Sequence, residues 1–178
     1  KTSNKINISW FCSNKMKDQI KVQAKLKQKP EDFIVEEIGL DRVCKVSKIF
    51  QPNTGPDLLN LDKENPKDFL WCEMEKQGID HFQAIKDVAN RLNKEIYDIG
   101  YAGTKDKVAW TCQRICIFKP DLEKIKEFQH PNIILKNFKW EKRKIKMGYL
   151  EANSFKITLR DIDKKDAIKI SNQIKKTK

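Results

Sequence analysis

The chain has 178 residues, and its 37 Lys and Arg residues against 25 Asp and Glu residues give a formal net charge of +12 and a pI near 9.4. A hydrophobic fraction of 39% is enough to build a core, which excludes a wholly disordered chain. No apolar segment approaches the roughly 20 residues that span a bilayer, so no membrane partner is expected. The positive net charge favours a polyanionic binding partner, and nucleic acid is the commonest one.

The cysteine and histidine content argues against a metal centre. The five cysteines include no Cys-x-x-Cys pair and there are two histidines, so we expect no zinc site. Cys72 and Cys116 lie inside apolar runs, where a free cysteine behaves as a small buried hydrophobe. Free thiols and the lack of a visible secretory signal predict an intracellular protein, with cytoplasm and nucleus both open.

The chain begins with an extension, a strand and a long loop. Residues 1–24 have little apolar weight and are interpreted as an amino-terminal extension. Pro30 disfavours helix before it, and 33–38 has the apolar weight of a strand, which puts Lys27 on the approach to that strand. The segment 47–67 is rich in proline and is predicted to be a loop.

The stretch 69–75 is predicted to be a strand because its side chains alternate in character. One face is apolar and consists of Leu70, Cys72 and Met74. The other face carries Glu73 and Glu75 and is expected to be partly wet.

An amphipathic helix is predicted next. Asp80 and Gln83 resemble a capping box at its start. The apolar residues recur at helical spacing and are predicted to pack on the sheet: Phe82, Ile85, Val88, Ala89 and Leu92. His81, beside the cap, is expected to be a surface or capping side chain rather than a general base.

The second half of the chain gives a short helix over 120–128 and a strand or hairpin over 133–145. The basic cluster 142–146 is either a solvated face or a contact for RNA phosphates, and both interpretations stay open. Asp163 is expected to cap a final helix whose inner face comprises Ala167, Ile170, Ser171 and Ile174.

The segment 153–160 is predicted to be a strand with one polar side chain on its apolar face. Asn153 falls on the same face as Phe155, Ile157 and Leu159. A buried amide needs hydrogen-bond partners, so Asn153 either braces a neighbouring loop or meets a ligand. The irregular order of strands and helices predicts an α+β fold with a mixed, largely antiparallel sheet and packed helices.

The chemistry is expected in the stretch Gly100-Tyr-Ala-Gly-Thr-Lys-Asp-Lys107, between two apolar segments. Gly103 leaves room for another backbone or a ligand, and the cations Lys105 and Lys107 favour the ionised form of Asp106 between them. An ionised aspartate can act as a nucleophile. An ordinary solvated turn is the competing interpretation of the same residues.

Other catalytic motifs do not fit this chain. The loop lacks the register of a nucleotide-binding P-loop, no dinucleotide fingerprint opens a helix, and two histidines leave no convincing nucleophile and base pair. A single carboxylate in a basic, glycine-bearing loop remains, and it suits an RNA-modifying enzyme that needs no cofactor.

Three motifs now carry a resemblance to a known family. They read Lys27-x-x-Pro-Glu-Asp-Phe-x-Val-x-Glu37, Tyr101-Ala-Gly-Thr-Lys-Asp-Lys107 followed by Gln113, and Gly148-Tyr-Leu-Glu-Ala-Asn-Ser-Phe-Lys-Ile-Thr-Leu-Arg160. In this order they resemble the signatures of the TruD family of pseudouridine synthases, over about residues 25 to 160. Ala152 stands where that family usually has glycine.

The resemblance implies a tRNA pseudouridine synthase, an isomerase that converts a uridine within RNA to pseudouridine. It implies that Asp106 is the catalytic carboxylate and that the substrate is bound by five residues: Lys27, Phe33, Lys105, Asn153 and Phe155. Neither a metal nor a cofactor is implied, and the partner is RNA, most plausibly tRNA. The identity of the uridine and the oligomeric state stay open.

The family's later Asn-Tyr-Phe-Gly and Gln-Arg-Phe-Gly motifs do not occur in these residues. Residues 25–178 are therefore interpreted as the amino-terminal part of a pseudouridine synthase catalytic domain, a fragment that could be inactive alone. A non-catalytic RNA-binding module of the same fold is the alternative, and it predicts RNA affinity that does not depend on Asp106.

Overall fold

The computed structural model describes residues 5–11 and 23–176, with side chains from residue 23 to residue 173. Seven strands form one sheet: β1 (Lys5–Phe11), β2 (Phe33–Ile38), β3 (Phe69–Gln77), β4 (Ile99–Tyr101), β5 (Trp110–Phe118), β6 (Ile133–Glu141) and β7 (Ala152–Arg160). Three α-helices accompany it: α1 (His81–Arg91), α2 (Leu122–Lys126) and α3 (Lys164–Lys176). None of these helices has the length and apolar character needed to cross a membrane.

The strand order is β1-β7-β2-β5-β3-β6, and the short β4 also pairs with β5. Every pairing is antiparallel except that of β2 with β5. The prediction of an α+β fold with a mixed, largely antiparallel sheet is confirmed. Strand β1 lies within the predicted extension, so part of that extension supplies an edge strand of the sheet.

Helix α1 covers one face of the sheet and forms the main core with it. The Asp80 carboxylate accepts the backbone N–H groups of Phe82 and Gln83, which confirms Asp80 as the cap. The Gln83 side chain donates to Asp87 at 2.7 Å, so the predicted reciprocal bond of a capping box is not formed. The predicted packing of Phe82 is wrong, because 63% of that residue is exposed. His81 takes the inward position instead, so the expectation of a surface histidine is also wrong. Compared with the predicted orientation, helix α1 is rotated so that His81 faces the sheet, where it contacts the ring of Tyr101.

The loop prediction for 47–67 is confirmed, since no helix or strand lies there. Leu58 and Leu61 of this loop are nonetheless buried in the core under α1. Cys72 and Cys116 are buried as predicted. Two apolar anchors thus hold a proline-rich loop that has no regular structure of its own.

The opposite face of β3 is not wet, contrary to expectation. Glu73 and Glu75 are both buried, because the segment 41–50 lies over this face and buries Cys44 against it. Both carboxylates have partners there, Arg42 for Glu73 and Lys136 for Glu75. The two faces of the sheet thus have different covers, helix α1 on one and an irregular segment on the other.

The carboxyl-terminal elements follow the predictions closely. Strand β6 ends at Glu141, so the basic cluster 142–146 lies in the turn beyond it, with its charged side chains exposed. The Asp163 carboxylate accepts the backbone N–H of Lys165 and caps α3 as predicted. Ser171 of the predicted inner face is exposed, and the side chain of Ile174 lies outside the described residues.

Candidate active site

The loop 102–109 joins β4 to β5 and is held by contacts from several elements. The Gln113 side chain donates to the Gly103 carbonyl at 3.0 Å, and the Gly148 N–H donates to the Ala102 carbonyl at 2.8 Å. At the loop's base, Gly100 lies so close to the next chain segment that a Cβ would overlap the Ile145 carbonyl oxygen. The loop is therefore fixed by its neighbours rather than by regular structure of its own.

Lys76 supports the loop from below. Its Nζ is fully buried and donates to the Asp106 carbonyl at 2.7 Å and to the Ile79 carbonyl at 2.8 Å. Burial lowers the pKa of Lys76 to about 8, and the nearby carboxylates of Asp80 and Asp106 oppose that shift. One ammonium thus ties the backbone of Asp106 to the turn that precedes α1.

Lys105 forms a buried ion pair with Glu37. Lys105 Nζ lies 2.9 Å from Glu37 Oε2, and the other carboxylate oxygen accepts the Arg114 N–H at 3.1 Å. Both side chains are nearly inaccessible, which makes the pair a fixed connection between the loop and β2. A substrate contact for Lys105 stays a prediction, and it would require this pair to open.

The Asp106 carboxylate is accessible, with 52% of the side chain exposed. Its Oδ1 lies 3.4 Å from Lys27 Nζ, and that ammonium lies 3.9 Å from the centroid of the Phe33 ring. The three residues come from the loop, from the approach to β2 and from β2 itself. The structure brings together the predicted catalytic carboxylate and two of the five predicted substrate residues.

Lys27 is placed by the chain around it. Lys25 and Arg160 exchange backbone hydrogen bonds, which fixes the approach to β2 against the end of β7. The Arg160 guanidinium also donates to both oxygens of Asp32, each at 2.6 Å, and these bonds hold the pKa of the Asp32 carboxyl below its usual range. Lys27 itself adopts a left-handed φ of 51°, which costs energy in a residue with a side chain.

Strand β7 contributes the remaining two predicted residues. Asn153 pairs with Glu37 and Phe155 pairs with Val35 across the β2–β7 ladder, so both face the same side as Phe33. The rings of Phe155 and Phe33 are 5.9 Å apart and tilted by 51°. Asn153 Oδ1 is buried and has no hydrogen-bond partner among the described residues.

Other buried polar atoms beneath the loop also lack partners within the described residues. They are Oγ1 of Thr111 and, by strict hydrogen-bond geometry, both ring nitrogens of His81 and Oε1 of Gln113, although the Gln113 side chain lies close enough to the His81 ring to interact with it. Burial lowers the pKa of His81 to about 4, and the cations Lys76 and Lys105 lower it further, so the ring is neutral at pH 7. Buried polar atoms without partners are costly, and most of those in the described residues lie beneath this loop. The others are Trp140 Nε1 and Arg114 Nη2, and Arg114 Nη2 lies 2.7 Å from the Asp41 carboxylate in an ion pair.

The sequence analysis missed the supporting residues Lys76, Glu37 and His81. A signal existed for Lys76, because it continues the alternation of Leu70, Cys72 and Met74 and so falls on the core face. Glu37 likewise continues the alternation of Phe33 and Val35. In the described ranges, no group of three or more His, Cys, Asp or Glu side chains is arranged to hold a metal ion.

Comparison with known proteins points to one family. The family model TruD, described as tRNA pseudouridine synthase D, matches residues 5–178. "Probable tRNA pseudouridine synthase D 1" of Methanocaldococcus jannaschii is 36% identical over 137 residues, which cover 76% of this chain and 33% of that protein. The tRNA pseudouridine synthase D of Nitratiruptor sp. is 33% identical over 149 residues, which cover 84% of this chain and 36% of that protein.

A crystal structure shows the same relationship. The Methanosarcina mazei protein named for tRNA pseudouridine synthase D superimposes with a TM-score of 0.63 at 29% identity, covering 82% of this chain and 29% of that chain. The chain spans about a third of the length of the curated relatives it matches. The match of the family model to nearly all of its residues shows that the chain belongs to the TruD family of tRNA pseudouridine synthases.

Proposed function

We propose that the protein containing this chain is a tRNA pseudouridine synthase that isomerises a uridine within RNA, with Asp106 as the catalytic carboxylate. The observation that carries the proposal is an accessible carboxylate on a loop anchored by buried contacts, with the Lys27 ammonium 3.4 Å away. The names of the relatives support tRNA as the substrate. The reaction would then take place inside the cell, where tRNA is found.

The isomerisation breaks the bond from C1′ of the ribose to N1 of the base and forms a bond from C1′ to C5. The proton on C5 is lost and N1 gains one, so the reaction needs no redox partner. Asp106 either attacks carbon, at C1′ or on the base, or stabilises the positive charge that develops at C1′. Fixing the loop holds this carboxylate in place before the substrate arrives.

The target base must leave its stack to reach Asp106. We propose that Phe155 stacks on the extruded uracil and that Phe33 supports the ring of Phe155 from behind. The unpartnered Asn153 Oδ1 would accept a hydrogen bond from an N–H of the base. Lys27 would contact a phosphate or hold the Asp106 carboxylate. Lys105 would act on the loop through Glu37, as a positioning residue.

We further propose that residues 25–178 are the amino-terminal part of the catalytic domain, extended at one sheet edge by β1. Because the chain spans a third of its relatives, we expect the full-length protein, rather than residues 1–178 alone, to carry the activity.

The test uses the full-length protein and unmodified tRNA transcripts labelled with tritium at C5 of uridine, because forming pseudouridine releases that label. We expect release by the wild-type protein and none above background with Asp106→Asn. Asp68→Asn is the matched control, since it also removes an exposed carboxylate beside a lysine, Lys119 at 3.8 Å. Salt-dependent RNA binding without label release from the wild-type protein would contradict the proposal and favour the RNA-binding module.

A further inference from the structure

A cleft beside the Asp106 loop is not used by the proposed reaction. It has a volume of about 530 Å³, which is within the range of small-ligand sites. Its lining includes Ile79, Asp80, Phe82, Lys86, Ile96 and Lys107. These residues come from the turn before α1, the first turns of α1, the segment after α1 and the catalytic loop.

The cleft adjoins Asp106 directly. Lys107 is the next residue of the chain, and the carbonyls of Ile79 in the cleft and of Asp106 bind the same Lys76 ammonium. The Asp106 carboxylate is directed to Lys27, whereas its carbonyl is directed to Lys76. The side chain of Asp106 thus contacts Lys27, and its backbone is joined through Lys76 to Ile79 in the cleft.

The cleft exposes two large apolar side chains, one from helix α1 and one from the segment that follows it. Phe82 is 63% exposed and Ile96 is 53% exposed, although burying them would stabilise the fold. Lys86 and Lys107 are exposed and form no ion pair with any residue that the structure describes. The Asp80 carboxylate is occupied by the backbone N–H groups of the helix cap.

An exposed aromatic ring with unpaired ammonium groups around it matches single-stranded RNA, because bases stack on aromatic rings and phosphates attract lysine. A purely apolar partner would gain from Phe82 and Ile96 but would leave both ammonium groups facing an apolar surface. The continuity with the Asp106 loop also favours RNA, since a nucleotide adjacent to the target uridine must pass close to Asp106.

We propose that this cleft is a subsite for an RNA nucleotide that neighbours the target uridine. Phe82 stacks on the neighbouring base, and Lys86 and Lys107 contact the phosphates on either side of it. The inference rests on the proposed function, because it takes Asp106 as the place where the target uridine is bound. It adds a second base-binding aromatic residue, separate from Phe155.

The test measures KM and kcat of the full-length protein on a tRNA transcript whose converted uridine has been mapped with the wild-type protein. Phe82→Ala is expected to raise KM by on the order of tenfold with a smaller change in kcat. Phe82→Tyr keeps the ring and is expected to retain the wild-type KM. Leu59→Ala is the matched control, because Leu59 is equally apolar and 85% exposed on the 47–67 loop.

The same variants are then measured on transcripts that carry an abasic nucleotide immediately before or after the target. If Phe82 stacks on a neighbouring base, the abasic nucleotide at that one position raises the KM of the wild-type protein. On the same transcript, wild type and Phe82→Ala then have equal KM values. An unchanged KM for Phe82→Ala, or the same penalty on both abasic transcripts, would overturn the subsite. A wild-type protein that converts no uridine would instead refute the proposed function, and the subsite with it.

Discussion

The two faces of the sheet both bury carboxylates, but they satisfy them differently. On the face covered by 41–50, Glu75 accepts hydrogen bonds from Trp110 Nε1 at 2.7 Å and from the Ser47 hydroxyl at 2.7 Å, besides its ion pair with Lys136. On the face with the Asp106 loop, Glu37 is equally well paired, yet Thr111 and Asn153 have buried polar atoms without partners in the described chain, and the ring nitrogens of His81 and Oε1 of Gln113 have at most each other.

We interpret the paired network on the 41–50 face as structural, and the network beneath the Asp106 loop as part of the proposed site. A network whose members are all paired stabilises one arrangement of the chain and has nothing left to offer a ligand. Unpaired buried atoms lower stability, and the fold tolerates that cost where a substrate can use them. We therefore expect substitutions on the 41–50 face to change stability alone, and substitutions beneath the loop to change activity as well.

The sharpest test of this comparison replaces one buried carboxylate on each face. Glu37→Gln leaves the buried Lys105 ammonium without its counterion and is expected to cost about 3–5 kcal/mol. Glu75→Gln does the same to Lys136 and is expected to cost less, because the Lys136 side chain is 23% exposed and still donates to the Lys45 carbonyl. Urea unfolding of the full-length protein measures that loss.

Glu37→Gln and Glu75→Gln should differ in activity. At a temperature where both are folded, Glu37→Gln is expected to lower kcat up to about 100-fold, because the loop that carries Asp106 loses its anchor. Glu75→Gln is expected to keep the wild-type kcat. Equal losses of kcat in both variants would show that the two faces do not differ in function.

Lys76 gives a pH-dependent test beneath the loop. Its pKa is about 8 in the folded protein and about 10.5 when solvated, so the unfolded chain binds more protons between these values. Stability relative to Lys76→Met should rise from pH 8 to pH 10.5, by on the order of 3 kcal/mol. The groups that face this ammonium are the Asp80 and Asp106 carboxylates, Lys105 and neutral His81.

The measurement is urea unfolding of both proteins across this pH range, with Lys165→Met, an exposed lysine, as the control. The difference between wild type and control should stay constant with pH. If the difference in stability between wild type and Lys76→Met is also constant with pH, then Lys76 is solvated and does not hold the backbone of Asp106.

The smallest expected effect lies on the 41–50 face. Ser47→Ala removes one hydroxyl from Glu75 while the backbone N–H of residue 47 still donates, so we expect a loss of about 1 kcal/mol and an unchanged kcat. Thermal unfolding and tritium release measure the two quantities. A drop in kcat would connect this face to the site and contradict the separation.

Local pattern was sufficient to predict the strands that carry the site. The alternation of side chains predicted that Asn153 and Phe155 lie on one face of β7. Pro30 before an apolar run predicted that Phe33 lies in a strand and that Lys27 lies on the approach to it. The structure confirms these positions. The orientation of α1 could not be predicted in the same way, since both His81 and Phe82 can start a stripe at helical spacing. Packing against Tyr101 decides it.

Long-range pairs were beyond sequence reasoning for a different reason. Glu37 and Lys105 are 68 residues apart, and they meet because β2 lies parallel beside β5. That pairing depends on the whole strand order. The same holds for Lys76 and Asp106, whose contact is set by where the loop folds over β3. The sequence motifs indicated the proposed catalytic loop, and the fold supplies the residues that hold this loop in place.

The most direct test of the account is the single-turnover rate of pseudouridine formation by full-length wild type and Asp106→Asn, measured beside their RNA dissociation constants. We expect Asp106→Asn to lower the rate constant roughly 10,000-fold, because a catalytic group is lost, while RNA affinity changes little. An Asp106→Asn protein that forms pseudouridine at the wild-type rate would contradict it.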